Sequence, residues 1–165
     1  MKVFIVMMFL LPAAMNCYEG QAIASERKQS QTITKAGTQP SVRGSDKFFT
    51  GNVRIEPLFS AKGTDAPFGG AYVTFEPGAR TFWHTHPTGQ QLLVVSGVGR
   101  TGDQTGTLEE VRVGDVLWCP PGVKHWHGAA PATAMTHLAL TGTLPDGKNV
   151  EWMEPVTDEQ YNGKR

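Results

Sequence analysis

The chain has 165 residues and a formal net charge of +0 at pH 7, from 15 basic and 15 acidic residues. This length suits one domain with its own core, and no basic or acidic tract indicates binding to nucleic acid or to an anionic membrane surface. With 19 glycines and 11 prolines, the composition is typical of a β protein rich in turns.

Residues 1–24 predict a secretory signal peptide. Lys2 precedes a long apolar run, and the small residues Ala22 and Ala24 stand before Ser25 where a signal peptidase would cut. The run is shorter than the roughly 20 residues of a membrane span, so an anchor is the weaker alternative, as is a lipid-modified Cys17. We therefore expect a secreted or periplasmic protein that does not contact the membrane after cleavage.

The rest of the chain predicts a single β domain. Residues 25–45 are polar and predict a flexible linker, residues 46–155 a barrel, and residues 156–165 a C-terminal tail with a short helical turn at Thr157–Tyr161. Many short, turn-separated runs of β-forming residues favour an antiparallel barrel or sandwich. The predicted strands are 48–49, 53–59, 71–75, 81–86, 91–97, 108–113, 116–119, 125–128 and 133–141.

Cys119 is the lone cysteine after residue 24, so it has no partner for an internal disulfide. It lies between apolar residues and two prolines, in DVLWCPPG. We expect a buried structural thiol rather than a reactive or metal-ligating one.

All five histidines lie in one third of the chain, between His84 and His137. Side chains alternate along a strand, so His84 and His86 share a face, and His125 and His127 repeat this spacing. In a small barrel these imidazoles can converge on its interior. The pattern indicates a metal site, since neutral imidazole binds many divalent metals; the alternative is two pairs that hydrogen-bond to backbone.

Two spaced motifs carry a family resemblance. They read Gly78-x5-His84-x-His86-x3-Gln90-x6-Gly97 and Gly114-x5-Pro120-x-Gly122-x2-His125. Both resemble the conserved motifs of the cupin superfamily, except that Gln90 replaces the usual Glu and Ala129 a frequent Asn. The resemblance implies an all-β fold, a double-stranded β-helix or jelly-roll barrel, with one divalent metal. The ligands that it implies are His84, His86, Gln90 and His125.

The wider sequence resembles small bacterial cupins that include manganese-dependent hydroxynitrile lyases, which cleave or form α-hydroxynitriles such as mandelonitrile. This implies Mn²⁺ as the metal, although Fe²⁺, Zn²⁺, Ni²⁺ or Cu²⁺ suit the same donors. His137 matches the histidine that acts there as acid and base; a core or ligand-orienting histidine is the alternative. The expected substrate pocket is lined by Ala71, Val73, Thr81 and His127.

The glutamine has a physical consequence for the expected reaction. An amide oxygen is neutral, so three imidazoles and Gln90 leave a divalent site near +2, which polarises a bound oxygen and attracts anions. The amide also removes a carboxylate that could serve as a base, and His137 becomes the candidate for general acid–base catalysis.

Two other functions fit the same motifs. One is a metal-dependent dioxygenase or other oxidoreductase, and the other is a non-enzymatic protein that binds a metal or a small metabolite. By analogy with cupins of this size we expect a homodimer or homotetramer, in which an edge strand such as Val53–Phe59 pairs with another copy. The expected partner is otherwise a small-molecule substrate.

Overall fold

The structure is a computed structural model that describes residues 30–62 and 66–163. The predicted signal peptide and its cleavage site lie outside the described residues. The chain divides into two compact units between Thr32 and Ile33, and the fold described below belongs to the second. Within the described part of the chain, no helix is long and apolar enough to cross a membrane.

Strands account for nearly all of the regular structure. They are β1 (Val42–Arg43), β2 (Phe49–Thr50), β3 (Val53–Phe59), β4 (Phe68–Phe75), β5 (Arg80–Thr81), β6 (His84–Thr85), β7 (Gln90–Asp103), β8 (Leu108–Arg112), β9 (Val116–Cys119), β10 (His125–Ala129), β11 (Met135–Gly142) and β12 (Glu151–Trp152), followed by one short helix, α1 (Asp158–Tyr161).

The strands pair antiparallel and form two sheets that share one strand. The first sheet has the order β1-β3-β4-β11-β7-β9, and the second joins β7 to β10, β5 and β2. On the second sheet β8 pairs with β7, β6 with β10, and β12 with β6. This curled antiparallel arrangement is the jelly-roll barrel expected from the sequence.

The longest strand, β7, exceeds its predicted length because it serves both sheets. Its first half pairs with β9 and β11, and its second half pairs with β8 and β10. Gly97 lies at the change, with a φ of 77° that a β-branched residue would rarely adopt. The sequence predicts that the strand ends at this glycine, whereas in the structure β7 continues to Asp103.

The core follows from the alternation of side chains along these strands. On β11, Met135, His137 and Ala139 are buried, while the residues between them are only partly covered. An apolar cluster surrounds this row, with Phe75 and Val94 at its centre. The histidines therefore enter a packed interior rather than an open surface.

Both ends of the predicted barrel extend further than the sequence indicated. Strand β1 lies within the segment predicted as a linker, and Val42 pairs with Ile55 of β3. The C-terminal tail packs on the barrel, since Tyr161 is buried and its hydroxyl donates to the Ala129 carbonyl at 2.7 Å. Helix α1 confirms the expected turn, and Thr157 caps it with a capping box.

Cys119 is buried, as predicted, and desolvation raises the pKa of its thiol to about 11. A thiolate is the reactive form of cysteine, so this side chain is an inert part of the core near neutral pH.

The bend in β7 generates a prediction about stability. A Cβ atom at Gly97 would lie 1.8 Å from the Ala134 carbonyl oxygen, so Gly97→Ala combines an unfavourable φ with a backbone clash. We expect a loss of unfolding free energy of more than about 3 kcal/mol in urea denaturation.

Gly78→Ala is the matched control, because Gly78 has a φ of 78° and no atom within 4 Å of the added Cβ. It should lose only about 1 kcal/mol. Equal losses for the two variants would show that the contact at Ala134 is not the cause.

Candidate metal centre

The two histidine motifs meet at adjacent strands. His84 on β6 is the pairing partner of His125 on β10, and the centroids of their rings are 4.3 Å apart. The antiparallel register therefore brings together two imidazoles from distant parts of the sequence. Both side chains are buried.

His86 and Gln90 approach from the turn between β6 and β7. The His86 ring lies 5.0 Å from that of His84 and 5.5 Å from that of His125, centroid to centroid. The Gly122 amide of the second motif donates to the His86 carbonyl at 3.0 Å, which ties the two motif turns together. Gln90 opens β7 and lies beside His86; burial lowers the pKa of His86, and Gln90 offsets only a part of that shift.

Backbone carbonyls orient three of the imidazoles in the same way. The Nδ1 atom of His84 lies 2.9 Å from the Phe82 oxygen, and that of His125 lies 2.9 Å from the Val123 oxygen. The Nδ1 atom of His86 lies 2.6 Å from the carbonyl oxygen of Asn149, in the segment before β12. Each Nδ1 therefore carries the proton, which leaves each Nε2 with its lone pair free to bind a metal.

The free atoms of this group fit a cation. The buried side-chain atoms without a hydrogen-bond partner include Nε2 of His86 and His125 and Oε1 of Gln90. The amide nitrogen of Gln90 donates to the Thr141 hydroxyl at 3.0 Å, so its oxygen is the end left for a ligand. An unpaired buried polar atom costs about 1–3 kcal/mol, and a divalent metal would bind these lone pairs.

Two different sets of three imidazoles in this group could act as the metal ligands. The ligand atoms of His84, His125 and His127 all lie within 4.8 Å of one another. Measured between ring centroids, however, His86 lies nearer to both other rings than His127 does. The His86 ring is 5.0 Å from that of His84 and 5.5 Å from that of His125, whereas the His127 ring is 5.2 Å and 6.1 Å from them. We favour the set with His86 for this reason and because its Nδ1 is held by a carbonyl.

His127 is engaged differently, with the fifth histidine. Its Nδ1 lies 3.1 Å from Nε2 of His137, and both rings contact the edge or face of Phe75. In the tautomer in which His137 donates to His127, the proton of His127 stays on Nε2, and this nitrogen cannot bind a metal. The structure thus brings all five histidines together and places His137 at one side of the group.

Burial keeps these imidazoles neutral. Desolvation lowers the pKa of His125 to about 4 and that of His137 to about 4. Burial also lowers the pKa of His86, and burial with the neighbouring imidazoles lowers the pKa values of His84 and His127 well below their usual range. Neutral imidazole is the form that binds metal or accepts a proton.

The remaining residues of the predicted pocket lie close to His137 or His127. Val73 is the pairing partner of His137 and belongs to the apolar cluster, and Ala71 lies half-buried further along β4. The Thr81 hydroxyl accepts a hydrogen bond from the His127 amide at 3.1 Å. Thr81 therefore anchors strand β10, and its role as a substrate contact stays a prediction.

Sequence reasoning missed several residues that hold the site in place. Asn149 acts through its carbonyl, which no side-chain pattern reveals. Trp152 pairs with His84 across β12 and β6, and their rings lie 4.9 Å apart. The alternation along β11 predicts Thr141 on the same face as His137, and Phe75 could have been found by its spacing of two from Val73 on β4.

Comparison with known proteins identifies the family. Residues 71–140 match the family model described as the cupin domain. The chain is also 59% identical, over 129 residues, to a curated protein named (R)-mandelonitrile lyase from Granulicella tundricola, which covers 78% of this chain and 97% of the relative. This chain belongs to the cupin superfamily. The fold and the family resemblance inferred from the two motifs are confirmed.

Several solved structures resemble this one. A cupin-like protein from Thermotoga maritima has a TM-score of 0.68 and 38% identity, covering 80% of this chain and 96% of that one. A polyketide cyclase from Streptomyces resistomycificus has a TM-score of 0.59 at 16% identity, covering 81% of this chain and 92% of that one. This second likeness concerns the fold alone.

The choice between the two imidazole sets gives a second prediction. His86→Ala should lower the affinity for Mn²⁺ by at least about tenfold, because it removes a ligand rather than a neighbour. His127→Ala should retain the metal within a few-fold. Metal content after dialysis, measured by mass spectrometry, checks both. Metal loss in His127→Ala with retention in His86→Ala would instead assign the site to His84, His125 and His127.

The lowered pKa values predict how the site responds to acid. Protons compete with metal for an imidazole only near or below its pKa, which is about 4 for His125 in the metal-free protein instead of the usual 6.5. Metal affinity should thus stay nearly constant from about pH 8 to about pH 5.5 and fall as the pH approaches 4. Equilibrium dialysis at stepped pH measures this, and half-release above about pH 6 would contradict it.

Proposed function

We propose that this cupin is a metal-dependent hydroxynitrile lyase that cleaves or forms α-hydroxynitriles of the mandelonitrile type. The observation that carries the proposal is the buried group of imidazoles with Gln90 and, at its side, a further neutral histidine that can exchange a proton. The name of the 59% identical relative supports the substrate class and suggests the R enantiomer.

The proposed metal ligands are His84, His86, Gln90 and His125. A bound divalent cation, Mn²⁺ by resemblance, would supply Lewis-acid polarisation of the substrate oxygen. A neutral amide in place of a carboxylate leaves the site more positive, and this favours anions such as cyanide.

His137 is the proposed general base. Its Nδ1 is buried and has no hydrogen-bond partner, whereas its Nε2 lies 3.1 Å from Nδ1 of His127. In the tautomer with the proton on Nε2, Nδ1 holds the free lone pair. His137 is neutral at any pH near 7, because burial lowers its pKa to about 4.

The reaction then needs one proton transfer in each direction. Nδ1 of His137 takes the hydroxyl proton of the cyanohydrin, and its Nε2–H continues to donate to His127. The carbon–carbon bond to the nitrile breaks, its electron pair leaves with cyanide, and the former hydroxyl becomes the carbonyl of the aldehyde. His137 returns the proton to cyanide, so that mandelonitrile gives benzaldehyde and hydrogen cyanide.

The test measures metal content and mandelonitrile cleavage on the same samples. The wild-type protein should hold about one Mn²⁺ per chain and release benzaldehyde, with a preference for the R enantiomer. His137→Ala and the more conservative His137→Gln should keep the metal and lose at least about 100-fold in kcat, the usual contribution of general acid–base catalysis.

Other results would contradict the lyase proposal or the assignment of its base. Metal binding with cleavage no faster than by free Mn²⁺ would remove the lyase proposal. Oxygen consumption that depends on a redox-active metal would then favour an oxidoreductase, and its absence a binding protein. Full activity in both His137 variants would leave the lyase and reassign its base.

A separate experiment tests the compartment. We propose that the mature protein is periplasmic or secreted, and cell fractionation with detection of the processed chain measures this. An unprocessed chain in the cytoplasmic fraction would contradict export.

A further inference from the structure

The hydroxyl group of Thr141 accepts one hydrogen bond and still has a proton to donate. The side-chain amide of Gln90 donates to Thr141 Oγ1 at 3.0 Å, so this oxygen is the acceptor of the pair. A threonine hydroxyl is a donor as well as an acceptor. Within residues 30–62 and 66–163, Thr141 Oγ1 makes no other hydrogen bond. Its O–H group is therefore free for a bound molecule.

Thr141 lies on the same face of β11 as the proposed base. Side chains alternate along this strand, so His137 and Thr141, four residues apart, both face the barrel interior. Thr141 is half-buried and is the pairing partner of Gln90 on β7. The free hydroxyl proton thus lies next to a proposed metal ligand, on the interior face that carries the base.

Small residues occupy the interior face between the base and this hydroxyl. Ala139 lies between His137 and Thr141, and its pairing partner on β4 is Ala71. The partner of Thr141 on the same strand is Gly69. Side chains that end at Cβ or are absent leave room over this part of the sheet, where the organic group of a small substrate can lie.

A cyanohydrin has two polar groups, and the proposed reaction assigns a partner to only one of them. Its hydroxyl gives a proton to Nδ1 of His137, and the hydroxyl oxygen is the atom that a Lewis acid polarises. The nitrile nitrogen is a hydrogen-bond acceptor without an assigned partner. Negative charge develops on the nitrile group as the carbon–carbon bond breaks, so a donor placed there stabilises the transition state more than the substrate.

We propose that Thr141 is a catalytic residue whose O–H donates to the nitrile nitrogen of the substrate while its oxygen accepts from Gln90. This inference rests on the proposed lyase function. It joins the free donor beside Gln90 to the free acceptor of the substrate, and it places the aryl group over Ala71 and Ala139. Thr141 keeps its proton throughout, so the same contact holds cyanide in the direction of synthesis.

Thr141→Val removes the hydroxyl and keeps the β-branched shape. At saturating Mn²⁺ it should lower kcat for mandelonitrile cleavage by about 10- to 100-fold, because a hydrogen bond to a developing charge is lost. Thr141→Ser keeps the hydroxyl and should retain most of the activity. Thr136→Val is the matched control on the opposite face of β11, where the Thr136 hydroxyl lies 3.0 Å from that of Thr74; it should leave kcat unchanged.

Infrared spectroscopy supplies a measurement that needs no turnover. The probe is the methyl ether of mandelonitrile, which has no hydroxyl proton to lose and so cannot be cleaved. A hydrogen bond to the nitrile nitrogen moves the C≡N stretching band to higher frequency. In metal-loaded protein, the bound ether should show this higher frequency with the wild type, Thr141→Ser and Thr136→Val, and a lower one with Thr141→Val.

The two measurements separate this contact from a role in holding Gln90 alone. In that case Thr141→Val would lower the affinity for Mn²⁺ but leave kcat at saturating metal and the nitrile band as in the wild type, which would overturn the proposal. Failure of the ether to bind the metal-loaded wild type would also overturn it. A band that depends on Thr141 in a protein that does not cleave mandelonitrile would support the contact and remove the lyase function.

Discussion

Burial of five imidazoles in one small β barrel is the constraint on which this structure depends. A charged imidazole is expensive to desolvate, so the group folds in its neutral form, with pKa values near 4 for His125 and His137. Each neutral imidazole keeps one nitrogen lone pair, and several of these buried nitrogens have no hydrogen-bond partner. A bound cation would satisfy the same atoms that the fold has desolvated, and stability would then be linked to metal binding.

Backbone groups provide the orientation that the side chains need. Three carbonyl oxygens hold three imidazoles by Nδ1, and one of them belongs to Asn149, far along the chain in the segment before β12. Strand β12 then pairs with β6 and places Trp152 beside His84. The C-terminal part of the barrel is consequently part of the site, although it contributes no proposed ligand.

The two histidine motifs could be predicted from the sequence because their information is local. Spacing by two puts imidazoles on one face of a strand, and glycine and proline fix the turns around them. The same reasoning failed where the determinant is a long-range contact. The sequence predicts that β7 ends at Gly97, because a glycine commonly marks a turn. It predicts a linker where β1 lies, because these two residues form a strand only through pairing with β3.

The site residues also divide into those with a local signal in the sequence and those that depend on long-range contacts. The motifs predict His84, His86, Gln90 and His125 as ligands, and the structure brings these side chains together; that they bind a metal stays a prediction. The carbonyl of Asn149 has no signature in a sequence, because every residue has one. The choice between His86 and His127 as the third imidazole depends on ring distances that differ by fractions of an ångström. Such differences depend on the packing of Phe75 and Trp152 rather than on the spacing of residues in the sequence.

The shared strand β7 determines when, during folding, the proposed metal donors come together. It carries Gln90 in one sheet and pairs with the strand of His125 and His127 in the other, so the donor set exists only after both sheets have formed. An unfolded chain has no such set to bind an ion. A metal that binds at this site would then be selected in the compartment where the chain folds, not in the one where it is translated. If residues 1–24 export the chain, the metal pool of the destination selects the cofactor, and one sequence folded in two compartments would acquire two different ions.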